Sequence, residues 1–116
     1  MQYMLLIYDT EDSMGAMSEA ERNAFMGEYF SYTEALRGAG KFVAGDALQP
    51  ISTATSVRVR DGKRLVTDGP FAETKEQLGG YYLIEAASLD EALDWAAKIP
   101  SSRLGTIEVR PVMVYG

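Results

Sequence analysis

Residues 3–8 read Tyr3-Met4-Leu5-Leu6-Ile7-Tyr8, an apolar run in which neither alternate set of positions is polar. Successive strand side chains point to opposite faces, so Tyr3, Leu5 and Ile7 share one face and Met4, Leu6 and Tyr8 the other. Both faces of such a strand are expected to be covered. The fold follows from what the rest of the chain can lay over each side.

Downstream, Ser18 followed by Glu21 is a capping-box signature. It predicts a helix from Ser18 to Arg37 whose inward stripe is Phe25, Tyr29, Tyr32 and Leu36, at spacings of four and three. Gly38 and Gly40 supply a helix stop, and Phe42 to Leu48 reads as a second strand that ends before Pro50. Val57 and Val59 alternate with Arg58 and Arg60, and Asp61-Gly62 is the dipeptide that closes a two-residue hairpin, returning the chain through Lys63 to Thr67. This hairpin is expected to be an arm on the main sheet. Residues 72–77 allow one helical turn, and Gly79-Gly80 opens a strand from Tyr81 to Ala86. A second capping box, Ser88 to Glu91, starts a helix with Leu89, Ala92, Leu93 and Ala96 on one side, ended by Pro100. Thr106 to Val114 reads as a last strand, with Ile107, Val109 and Met113 on one face and Val112 and Val114 on the other.

The order strand, helix, strand, hairpin insert, strand, helix, strand is the split βαβ arrangement of an α+β domain, an antiparallel sheet with two helices on one face. The helices cover one sheet face only. The doubly apolar strands therefore lack a second layer, and the simplest supplier is another copy of the chain, giving a homodimer through the sheet faces. The alternative is that the hairpin folds over the open face.

The 116 residues suit a single domain (1–116), and a hydrophobic share of 47% with 24% charged residues predicts order nearly from end to end. The opening apolar run is far shorter than the roughly 20 residues that span a bilayer, and no basic leader precedes it, so a cytoplasmic protein without membrane contact is expected. With neither cysteine nor histidine, thiolate and imidazole metal sites, haem ligation through a proximal histidine, cysteine nucleophiles and Ser-His-Asp triads cannot be assembled. A carboxylate site for a hard ion survives, but no particular metal or cofactor is called for. The net charge of −6 opposes binding to nucleic acid.

From Val66 to Pro100 the chain reads VTDGPFAETKEQLGGYYLIEAASLDEALDWAAKIP, which resembles the branch of the YCII-related family that bears the DGPF motif. The opening YMLLIYD, the segment EALRGAGKFVAGDALQP and the closing IEVRPV resemble it too, so the likeness covers the whole chain. It implies a ferredoxin-like α+β domain that pairs through its sheets into a dimeric, barrel-like assembly. It also implies enzymes with a histidine and an aspartate near one cleft, and, for some members, a link to extracytoplasmic-function sigma factors. The acid at the end of the first strand is matched by Asp9; the first-helix histidine falls at Tyr29.

Asp9 and Tyr29 are the candidate catalytic pair. A carboxylate can serve as general base, and a phenol can donate to a developing oxyanion. Alternatively, Asp9 starts a loop and Tyr29 is a core aromatic. Asp68-Gly69-Pro70-Phe71 holds a rigid turn, in which Asp68 and Phe71 either line a pocket, with Lys75 nearby for an anionic group, or serve folding alone. Asp46 is a further candidate ligand-binding carboxylate. Tyr81 and Tyr82 point to opposite faces, and Arg58, Arg60, Lys63 and Arg64 concentrate positive charge on the hairpin. Gly38-Ala39-Gly40-Lys41 is no phosphate loop, since Ala35 and Phe42 stand where glycine and a hydroxyl residue belong. Met14 and Met17 are read as packing residues.

Two functions from different classes follow. One is a cofactor-independent enzyme performing acid-base chemistry on a small organic molecule. The other is a non-catalytic ligand-binding or regulatory dimer, linked through the family resemblance to sigma-factor regulation. A purely structural module would fill the space between its sheets with side chains.

Overall fold

A computed structural model describes residues 1–115. The first strand, β1 (Gln2–Asp9), lies inside a sheet, paired antiparallel on one side with β5 (Gln77–Glu85) and on the other with β6 (Thr106–Pro111). The second strand, β2 (Phe42–Ala47), adds to the far side of β5, so the four-stranded order is β2-β5-β1-β6.

A short helix, α1 (Asp12–Gly15), follows β1 and precedes the long α2 (Glu19–Gly38). The capping box forms as its sequence requires: Ser18 Oγ accepts from the Glu21 backbone, and the Glu21 carboxylate accepts from the Ser18 backbone. These bonds hold the Glu21 carboxyl below its ordinary pKa. Phe25, Tyr32 and Leu36 are buried, and Tyr29 packs against the same core. The second long-range helix, α3 (Leu89–Ala97), is capped by Ser88, whose hydroxyl accepts from the Glu91 backbone. Here the reciprocal carboxylate bond goes one residue upstream, to the Ala87 backbone, and Glu91 Oε1 also lies 3.2 Å from Lys41 Nζ.

Both helices cover the β1 face that carries Tyr3, Leu5 and Ile7, joined there by Tyr82, Ile84, Ala92, Ala96 and Ile99. Met4, Leu6 and Tyr8, on the other face, are only half-buried. The residues that fix this arrangement are not all those the pattern suggests. In α3 the buried stripe is Ala92 and Ala96, while Leu89 and Leu93 remain 48% and 46% exposed; small side chains let the helix sit close to the sheet.

Other differences also separate the chain from its sequence pattern. β6 is bounded at Pro111, after which Val112 N still donates to the Gln2 carbonyl at 2.9 Å; β1 begins at Gln2, so Met113 and Val114 lie past the end of the ladder and are exposed. Within β6 the outward residues Glu108 and Arg110 are polar, so this strand is apolar on one face only. Residues 72–76 form bends and irregular chain, not a helical turn, and β5 starts at Gln77, carrying Gly79 and Gly80 inside the strand. The hairpin, β3 (Thr55–Arg60) and β4 (Lys63–Asp68), is a separate two-stranded sheet whose strands pair only with each other. Its turn is as expected: Asp61 and Gly62 have φ of 52° and 74°, the left-handed pair that matches strand twist.

Candidate functional site

A cavity of about 590 Å³ lies between α2 and the β1-β5-β2 side of the sheet. β2 lines it and is narrow at Gly45. At Gly45 a Cβ would come within 2.7 Å of the Tyr82 ring, so a side chain there would displace a cavity wall. Phe25 and Phe42 supply apolar walls, and Ile7 part of the floor.

Asp9 reaches this cavity from the end of β1. Its Oδ1 accepts from the Thr10 backbone at 2.7 Å and from Ser13 Oγ at 2.8 Å. The Ser13 hydrogen is thereby committed, so the Thr10 hydroxyl must be the donor in the 3.0 Å contact with Ser13. Among the described residues nothing is hydrogen-bonded to Oδ2. The short α1 thus serves a purpose: it brings Ser13 back to fix the carboxylate.

Tyr29 enters from α2, its hydroxyl 2.5 Å from that of Ser101, a buried residue in the 3-10 turn Pro100–Arg103. Burial pushes the Tyr29 phenol above its ordinary pKa, and the nearby Asp9 charge adds a smaller push in the same direction. Beside this pair, Thr33 Oγ1 donates to the Tyr29 carbonyl at 3.0 Å. A threonine hydroxyl has one hydrogen, so in its 2.8 Å contact with Tyr82 the tyrosine is the donor. Tyr82 Oη then faces a ligand only as an acceptor. The Tyr29–Ser101 pair uses one of its two hydrogens internally and leaves the other free.

Asp46 borders the cavity, but its carboxylate turns to the helix-free sheet face, where Oδ2 accepts from Tyr81 Oη at 2.7 Å. That bond raises the Tyr81 pKa, since it favours the protonated phenol. Tyr81 and Tyr82 do point to opposite sheet faces, with Tyr82 buried against Tyr32 and Phe42. Asp68, Phe71 and Lys75 are exposed and do not line this cavity. The cation at its wall is Arg37, whose guanidinium sits 4.3 Å from the Phe42 ring centroid. Met14 lines the cavity too. Among the described residues there is no group of three or more carboxylates suited to holding a metal ion.

Of the sequence candidates, Asp9 and Tyr29 share one cavity, while Asp46 borders it with its carboxylate held by Tyr81 on the opposite sheet face. Ser101, Thr33 and Ser13 were not among them. A serine 72 residues from its partner leaves no spacing to read, and its burial is the only local sign of its role.

The sequence model of the YCII-related domain matches residues 1–115. The chain belongs to this family. An uncharacterised protein of Rhizobium meliloti (strain 1021) is 41% identical over 117 residues, which cover 99% of this chain and 94% of that one. Among solved structures, the chain is similar to the 5-chloro-2-hydroxyhydroquinone dehydrochlorinase of Burkholderia phenoliruptrix AC1100 in complex with 2,5-dihydroxybenzoquinone. The TM-score is 0.57 at 17% identity, over 97% of this chain and 94% of that one. This likeness is one of fold. No helix among the described residues is long and apolar enough to cross a membrane.

Proposed function

We propose that this YCII-related protein is a cofactor-independent enzyme that moves a proton on a small organic molecule bound under α2, with Asp9 as base and Tyr29 as hydrogen-bond donor. The observation that carries the reading is the approach of Asp9 and the Tyr29–Ser101 hydroxyl pair to one apolar-walled cavity. A cavity of about 590 Å³ is large enough for a small ligand. A proton passes from substrate carbon or oxygen to Asp9 Oδ2, and the electron pair left behind moves onto a neighbouring carbonyl oxygen. The free hydrogen of the Tyr29–Ser101 pair donates to that oxyanion, and return of the proton to a different atom completes an isomerisation with no change in net charge. Acceptors at Asp9 Oδ2 and Tyr82 Oη, beside that one donor, favour a substrate that carries both a hydroxyl and a carbonyl or enol oxygen. Hydroxylated aromatics are the first compounds to try, because the dehydrochlorinase of similar fold is named for one.

The strand order β2-β5-β1-β6 with both helices on one face supports a ferredoxin-like architecture. The half-buried Met4, Leu6 and Tyr8 on the helix-free face support a homodimer formed through these faces.

A second reading, a non-catalytic ligand sensor, is favoured by one observation. Among the described residues no buried side-chain nitrogen or oxygen lacks a hydrogen-bond partner, so the hydroxyls are at rest without a substrate. A thermal-shift screen with hydroxylated aromatics and small keto acids, followed by product analysis of each hit, separates the two. Turnover supports the enzyme. Stabilisation by a compound that is recovered unchanged supports the sensor and overturns the enzyme.

A further inference from the structure

The β3–β4 ribbon is left uncovered by its own chain. Directly paired residues share a face, so the pairs Val57↔Val66 and Val59↔Arg64 put Val57, Val59 and Val66 together, and these are 60%, 63% and 55% exposed. The opposite face sets Leu65 among Arg58, Arg60 and Lys63. Phe71, just beyond the ribbon, is 82% exposed. A lone two-stranded hairpin is marginal in water, and one with an apolar face needs a surface to bury it.

The chain does not offer that surface itself. Its radius of gyration is 16.2 Å, against about 13 Å for a compact chain of this size. The ribbon is therefore held away from the core. Its base is fixed, since Gly69 N donates to the Ala54 carbonyl at 2.8 Å and Ser56 Oγ donates to the Gly69 carbonyl at 2.8 Å. A ribbon fixed at its base and bare along its length is shaped to reach another molecule.

Charge identifies that molecule. Between Val57 and Val66 stand Arg58, Arg60, Lys63 and Arg64 against Asp61 alone, a net +3, and since the whole chain carries −6 the remainder carries −9. The ribbon is thus complementary to the body of its own kind. On that body the outward acids Glu85 and Glu108, with Arg110 beside them, flank the Met4, Leu6 and Tyr8 face that the proposed sheet pairing buries.

We propose that the ribbon is a clasp: each copy of the chain extends β3–β4 across to a second copy, packs the Val57-Val59-Val66 face against it, and sets its cations against that copy's carboxylates. The clasp rests on the homodimer reading but assigns the grip to a segment outside the paired sheets.

Sedimentation equilibrium of the full chain tests it, with wild type beside Arg58→Glu/Arg64→Glu and Val59→Glu, and circular dichroism as a check on the fold of each. The expected result is a wild-type dimer at low micromolar concentration that loosens as salt rises. Each variant should keep its circular dichroism and dimerise about tenfold or more weakly, with the charge variant losing the salt dependence. Variants that fold and dimerise as tightly as wild type overturn the clasp while leaving the dimer standing. A wild type that stays monomeric at 100 times that concentration, about 10⁻⁴ M, overturns both.

Discussion

Tyr29 Oη and Ser101 Oγ lie 2.5 Å apart although 72 residues separate them in sequence. Two hydroxyls that face each other can share only one hydrogen bond through one hydrogen, so the pair keeps a hydrogen for a third group. Asp9 lines the same cavity, its carboxylate fixed by Thr10 and Ser13 through one oxygen, and among the described residues the other oxygen has no hydrogen-bond partner.

Removing the phenol separates its chemical from its structural role. Tyr29→Phe is expected to lower stability by about 1 kcal/mol, the net worth of a neutral hydrogen bond. On a substrate of this site it should lower kcat and kcat/KM together by about 100-fold, as for loss of an oxyanion donor. Ser101→Ala should cost less turnover, because the Tyr29 hydrogen is then free to reach the substrate. Steady-state kinetics on both variants checks the order.

Gly45→Ala probes the cavity wall. The added Cβ lies 2.7 Å from Tyr82 Cδ1, so the ring, which lines the ligand space, must shift. Overpacking of this kind costs about 1–3 kcal/mol of stability. Ligand affinity should fall more steeply than for a substitution of equal cost elsewhere in the core, and calorimetric titration compared with chemical denaturation reads both.

Alkaline pH should unfold the protein through its tyrosines. The phenols of Tyr29 and Tyr32 are raised above their ordinary value mainly by burial, and that of Tyr81 by its bond to Asp46. A raised folded pKa means that the folded state holds the proton more tightly. Its contribution is fully present below the unfolded value of about 10 and is lost as pH climbs towards the folded one. Melting temperature should hold steady up to about pH 10 and then fall. Tyr32→Phe, which also removes the 2.9 Å bond to the Trp95 carbonyl, should begin with a lower melting temperature and fall less steeply.

Leucines at similar helical positions should respond differently. Leu36 is fully buried under α2, and Leu36→Ala should cost about 2–5 kcal/mol. Leu93 is 46% exposed on α3, and Leu93→Ala should change stability by about 0.5 kcal/mol or less. Urea denaturation at neutral pH measures both.

Much of this fold is legible in local chemistry. Ser18 with Glu21 caps α2, Asp61-Gly62 turns the hairpin, and Phe25, Tyr32 and Leu36 find the core, because each depends on neighbours within a few residues. Leu89 and Leu93 mislead, since periodicity marks an apolar side of α3 without saying that Ala92 and Ala96 allow the closer approach. The strand beyond Pro111 misleads for a different reason: Val112, Met113 and Val114 have strand-like side chains, but after the Val112 N bond to the Gln2 carbonyl, β1 offers no further partner. In the site, Asp9 and Tyr29 stand out as an acid after a strand and an aromatic on an inward stripe. Ser101 and Thr33 do not, because a hydroxyl acquires a role only through the partner that the tertiary fold brings to it.

Proton transfer at the Asp9–Tyr29 cavity is tested most directly by product formation from the compound that most stabilises the wild type. Rates should be measured for wild type, Asp9→Asn and Tyr29→Phe, with binding of the compound measured separately for each. Both variants should still bind it, and each should turn it over about 100-fold or more slowly. Unchanged turnover in both variants would contradict proton transfer at this site.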